Sequence, residues 1–126
     1  MPAGRYSFVI EQGATTNIQI DWTDVNGSPI NLSNFNARMQ LRPSVESSDV
    51  YLQLSSSLDA DGTGINLNGG TGLIPYESGS LAIYISAEKT KDLTFNEAYY
   101  DLEMERENVV IRLLEGRVKL SKNVTR

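Results

Sequence analysis

The chain contains no histidine and no cysteine in 126 residues. Without thiols there is no disulfide framework and no thiolate metal site. Without imidazole the commonest general base is missing as well. No glycine-rich loop followed by Lys-Ser or Lys-Thr is present, which argues against phosphate binding. Apolar residues make up 40% of the chain and aromatics only 8%, and no uninterrupted apolar run nears the length a membrane helix needs. Positive charge is also scarce. Eleven Lys and Arg face sixteen Asp and Glu for a net charge of −5, and a chain that binds bare nucleic acid needs clustered cations instead. The only grouping is Arg112, Arg117, Lys119, Lys122 and Arg126. The first residues, Met1-Pro2-Ala3-Gly4-Arg5, lack the apolar stretch of a secretory leader, so synthesis in the cytoplasm is expected.

What fills the chain is strand-period alternation. Phe35, Ala37, Met39 and Leu41 alternate with Asn36, Arg38, Gln40 and Arg42. Ala98, Tyr100, Leu102 and Met104 alternate with Tyr99, Asp101, Glu103 and Glu105. A period of two sends one set into a core and the other into water. The same reading gives strands over 6–10, 15–23, 50–54, 80–85 and 109–120. The segment 55–79 is rich in Ser, Gly, Asn and Asp, with apolar islands at Ile65-Asn66-Leu67 and Leu73-Ile74. Weakly paired strands in a long, least stable connection are expected there. The fold class is therefore all-β: one antiparallel β-sandwich domain over 1–126, with about seven to nine strands. One common core is expected to hold Phe8, Ile20, Trp22, Phe35, Met39, Leu102 and Val118, with Trp22 as its anchor.

Local punctuation sharpens this outline. Asn26-Gly27-Ser28-Pro29 predicts a turn, since Asn-Gly tolerates positive φ and Pro29 cannot donate to a ladder. Ser86 predicts the N-cap of a short helix over 86–92. Glu107-Asn108 predicts a two-residue hairpin turn, which places Glu103 opposite Arg112. Gly116, inside a strand, predicts a bulge or a close backbone approach.

Candidate sites reduce mostly to structure. Asp59-Ala60-Asp61-Gly62-Thr63-Gly64 echoes the start of a calcium loop, but Gly70 stands where the closing glutamate is required, so a polar turn is the better reading. Asp101, Glu103 and Glu105 line the wet face of one strand, a poor acid/base set. Asn31-Leu32-Ser33 and Asn123-Val124-Thr125 match the glycosylation triplet, which has no force without secretion. Tyr51 and Tyr99 point away from the alternating apolar set and suit an interface. The terminal segments 1–5 and 121–126 carry no apolar set of their own, leaving Arg5, Lys122 and Arg126 for acidic partner surfaces. The expected partner-binding set is thus Arg5, Tyr51, Tyr99, Lys122 and Arg126, with no catalytic residue, metal or cofactor.

Several segments together resemble a family of small proteins from the structural modules of tailed bacteriophages. They are Ile10-Glu11-Gln12-Gly13-Ala14-Thr15, Trp22, Asn26-Gly27-Ser28-Pro29-Ile30-Asn31-Leu32 and Ala37-Arg38-Met39-Gln40-Leu41-Arg42. Towards the C-terminus follow Tyr100-Asp101-Leu102-Glu103, Leu113-Leu114-Glu115-Gly116-Arg117-Val118 and Val124-Thr125-Arg126. The opening order is similar to that of the N-terminal domain of phage baseplate upper proteins. The resemblance implies an immunoglobulin-like, non-enzymatic virion component present in several copies. It would be assembled in the bacterial cytoplasm and act as an adaptor in the tail, baseplate or fibre attachment apparatus. Its partners would be other virion proteins, with neither nucleic acid nor membrane among them. A head or neck decoration protein and a carbohydrate- or receptor-binding module are the alternative roles.

Overall fold

A computed structural model describes residues 3–68 and 79–125. Nine strands and one helix are formed by the described residues. They are β1 (Gly4–Arg5), β2 (Phe8–Glu11), β3 (Thr16–Asp21), β4 (Asn36–Arg42), β5 (Leu52–Ser55), β6 (Gly64–Asn66), β7 (Ser80–Ile85), α1 (Ala87–Lys91), β8 (Glu97–Arg106) and β9 (Val109–Ser121). Two sheets result: a six-stranded one in the order β1-β9-β8-β4-β5, with β2 also on β9, and a three-stranded one in the order β3-β7-β6. The chain is a β-sandwich, as the alternation requires.

One feature departs from a purely antiparallel plan. β1 and β2 both run parallel to β9, with Phe8 beside Val118 and Ile10 beside Leu120. Parallel partners must be joined by a long crossover, and here almost the whole chain serves as that connection. The first strands therefore close the sheet against the last one.

The two inner faces make one core. Ile10, Met39, Leu41, Leu54, Leu102, Met104 and Val118 from the larger sheet meet Ile65, Leu81, Ile83 and Ile85 from the smaller, all essentially inaccessible. Phe8, Phe35, Met39, Leu102 and Val118 are buried as expected. Ile20 and Trp22 are only partly buried against that cluster. Trp22 lies beyond the end of β3, edge-on to Phe35 with ring centroids 5.5 Å apart, so it seals a rim instead of anchoring the centre. The guanidinium of Arg106 sits over the Phe35 ring, 4.7 Å from its centroid.

The turns follow their chemistry. Gly27 takes φ +83° in the Asp24–Ser28 turn, where the Asp24 carboxylate accepts from the amides of Asn26 and Ser28. Glu107 and Asn108 both adopt positive φ, the signature of a two-residue hairpin whose twist matches its strands. Ser86 caps α1 by accepting from the Lys89 amide.

Register in the β8–β9 hairpin places Glu103 opposite Arg112, as the two-residue turn predicts, and then slips at Leu102/Glu103. The bulge falls beside Leu113, before Gly116. At Gly116 the constraint is the other one foreseen, a close approach: an added Cβ would lie 2.2 Å from the Tyr6 carbonyl oxygen. That same carbonyl accepts a hydrogen bond from the buried Tyr100 hydroxyl. The N-terminal segment is thus seated by a missing side chain on β9 and a phenol on β8.

Within 55–68 the chain is better anchored than its composition suggests. β6 pairs with β7, and Ile65 is wholly buried. The island Leu73-Ile74 lies outside the described residues.

Candidate functional site

The alternation that buries Ala98 to Met104 presents its other half on the outer face of the larger sheet. Cross-strand register sorts these side chains into rows. One row reads Gln53, Gln40, Asp101, Glu115 and Arg5 across β5, β4, β8, β9 and β1. The next reads Arg38, Glu103 and Arg112, and a third reads Arg42, Tyr99 and Arg117. A shallow depression of 330 Å³ lies among them, lined on β4, β8 and β9 by Gln40, Arg42, Tyr99, Asp101, Arg112 and Glu115.

The rows are internally paired. Arg38 Nε donates to Glu103 at 2.8 Å and its guanidinium also approaches Glu105 at 3.6 Å. Glu103 therefore turns to β4, and Arg112 reaches diagonally to Asp101 at 3.4 Å instead of binding the Glu103 it faces. Arg42 donates to the Gln40 side-chain carbonyl at 2.6 Å and to the Ser47 backbone carbonyl, and Gln40 donates to Gln53 at 3.0 Å. Arg117 lies 5.2 Å from the Tyr99 ring centre. Asp101 and Glu115 are the exception, two carboxylates directly opposed across β8 and β9. Partial burial, and then the neighbouring Glu103, push the Asp101 carboxyl above its ordinary pKa, against the pull of Arg112. The Glu103 carboxylate in turn holds the Arg38 guanidinium more firmly protonated.

The five expected partner residues do not form one cluster. Arg5 and Tyr99 lie on this face, Arg5 in the row of Glu115 and Asp101. Tyr51 is stacked on Phe95, with centroids 4.7 Å apart and planes 11° from parallel, so one side of its ring is already used. Lys122 sits apart, in a recess with Glu11, Gln12, Gly13 and Asn123. Arg126 lies outside the described residues. Among the described residues, neither Arg5 nor Lys122 makes an ion pair. The C-terminal segment is more firmly held than expected, because Gln12 donates its amide to the Ser121 carbonyl and accepts from the Asn123 amide. Alternation identifies Gln40, Arg42 and Asp101 as wet and the hairpin turn brings Arg112 to β8, but neither places Glu115 opposite Asp101.

The 59–64 segment is a structural turn. Asp61 accepts from the Ser86 hydroxyl at 2.7 Å and from the Thr63 amide at 2.9 Å, which lowers its pKa from 3.8 to about 2. Asp59 lies 3.3 Å from Lys89. Among the described residues no group of three or more acidic side chains is placed to hold a metal.

No protein-family model matches this chain, and no curated protein matches it.

Proposed function

We propose that this chain is a non-enzymatic structural protein of a tailed-phage virion, an adaptor in the tail, baseplate or fibre attachment apparatus. The observation that carries the reading is the outer face of the larger sheet. It is a broad, half-exposed surface on which Arg5, Tyr99, Asp101, Arg112 and Glu115 stand on rigid strands. Fixed, alternating charges of this kind steer partners and set register more than they add affinity. The segments that resemble phage structural proteins include β4, β8 and the bulged part of β9, the strands that build this face.

The test is incorporation. In particles carrying the doubly substituted chain Tyr99→Ala, Arg112→Glu, the protein should be depleted from purified virions while the isolated variant remains folded. Wild-type incorporation and infectivity would overturn the adaptor reading. A second reading, a sugar- or receptor-binding module, is favoured by one feature: the aromatic Tyr99 beside planar polar side chains of Gln40, Asp101 and Arg112 around the depression. That reading expects normal incorporation with loss of adsorption alone.

A further inference from the structure

Asparagine followed by glycine is a reactive pair as well as a turn signal. The glycine amide nitrogen can close a five-membered ring on the asparagine side-chain carbonyl, and glycine has no Cβ to crowd that nitrogen. Among the described residues one complete pair of this kind is present, Asn26-Gly27. Every other described asparagine except Asn68 is followed by a residue with a side chain. The turn leaves the pair open to reaction. Residues 23–29 are exposed throughout, and no heavy atom lies within 4 Å of where a Cβ on Gly27 would stand. Among the described residues no hydrogen bond holds the Asn26 side-chain amide. What restrains the turn is Asp24. Its carboxylate accepts from the amides of Asn26 at 2.8 Å and Ser28 at 3.0 Å, and its backbone carbonyl accepts from Gly27 at 3.0 Å. With every residue of the turn in water, these bonds can open locally without disturbing the core.

We propose that Asn26 is a site of spontaneous deamidation in the folded chain. When the turn opens, hydroxide removes the Gly27 amide proton and the nitrogen attacks Cγ of Asn26. The N–Cγ bond forms, the Cγ–Nδ2 bond breaks, and the side-chain nitrogen takes a proton from water and leaves as ammonia. Water then opens the succinimide at either of its carbonyls, which gives aspartate or isoaspartate. The sum is an exchange of ammonia for water, with no oxidant, reductant or cofactor. Either product adds a carboxylate close to Asp24, in a chain whose net charge is already −5. Isoaspartate also lengthens the main chain by one carbon between positions 26 and 27, so Gly27 and Ser28 no longer meet Asp24 in register. The same turn carries the Thr23–Pro29 bridge and leads into the bond from the Ile30 amide to the Trp22 carbonyl at 3.0 Å. The isoaspartate form therefore loosens the rim at Trp22, the chain's sole tryptophan. The inference rests on this turn alone and does not depend on the virion reading.

Peptide mapping of the full chain after incubation at mildly alkaline pH, beside the same chain unfolded in guanidinium chloride, tests it. The peptide holding Asn26 should gain about one mass unit in the folded chain, as ammonia is exchanged for water. The rate should rise in proportion to hydroxide and stay below that of the unfolded chain. Asp24→Ala frees the amides of Asn26 and Ser28 and should accelerate the change roughly three- to tenfold. The purified isoaspartate form should show Trp22 emission at longer wavelength. A folded chain unmodified at Asn26 when the unfolded chain has reacted to completion overturns the inference, because the turn would then shield the pair. So does a change confined to Asn68, or an Asp24→Ala rate no higher than wild type, since the reaction would not run through the opened turn. Unchanged Trp22 emission in the isoaspartate form would strike out the coupling to the rim.

Discussion

The outer face of the larger sheet and the seam between α1 and the β2–β3 turn are both polar, yet they are polar for opposite reasons. On the outer face, Arg38 to Glu103 and Arg112 to Asp101 are half-exposed pairs that water and salt can replace. At the seam, Thr90 is fully buried, accepting from the Gly13 amide at 3.1 Å and donating to the Ala14 carbonyl at 2.8 Å. Gln12 there donates to the Leu93 carbonyl at 2.7 Å. A buried polar group must be satisfied or it costs the full desolvation penalty. The seam therefore holds the fold together, and the outer face is free to vary with a partner.

Substitutions should separate the two regions by size of effect. As the reference for both, Leu102→Ala in the core beneath the outer face should lower stability by about 2–5 kcal/mol, read from chemical denaturation. Trp22→Ala, at a half-buried rim, should cost clearly less than Leu102→Ala; equal losses would return Trp22 to the centre of the core. Thr90→Val at the seam should cost about 1–3 kcal/mol, since it removes two hydrogen bonds, one from the Gly13 amide and one to the Ala14 carbonyl, each worth about 0.5–1.5 kcal/mol. Arg112→Ala on the outer face should cost about 1 kcal/mol or less, and less still in high salt. If Arg112→Ala proves as damaging as Thr90→Val, the contrast between a structural seam and a variable face fails.

Acid titration sharpens the same contrast with two carboxylates of opposite sign. The folded-state pKa of Asp61 is depressed to about 2, so its stabilisation is fully present above 3.8 and is lost as pH falls through about 2. Asp101 is raised, chiefly by burial, so the folded state binds its proton more tightly than the unfolded chain does. Its contribution favours folding at low pH and fades as pH rises through the raised value. Asp61→Asn should flatten the acid limb of the stability curve, and Asp101→Asn should steepen it. The same change of slope from both variants would refute these assignments.

Period-two alternation makes the centre of the larger sheet legible because β4 and β8 each have one wet and one dry face. Phe35 to Arg42 and Ala98 to Met104 could be assigned residue by residue for that reason. It failed where neighbours, not periodicity, decide burial. β7 is buried at nearly every position, so it carries little facing information, and Ile65 was obscured by the Ser/Gly-rich residues around it. Trp22 was overrated because size signals burial only when the strand continues, and β3 ends at Asp21. The charged outer face was visible as wet positions, but its pairing was not. A bulge at Leu113 changes which residues of β9 face outward, and no local sequence feature announces where the extra residue falls.

The parallel pairing of β2 with β9 carries a consequence in time. Residues 8–11 leave the ribosome about a hundred residues before their partners, Val118 to Ser121. Until then Phe8 and Ile10 have no strand to dock on, and the sheet cannot close. A contact so distant along the chain places a large loop-closure cost before its reward and slows folding. During synthesis the N-terminal strands are an unpaired apolar ribbon of the kind that chaperones hold or neighbouring chains capture. The step that closes the larger sheet is the return of Phe8 to Glu11 to the far end of β9.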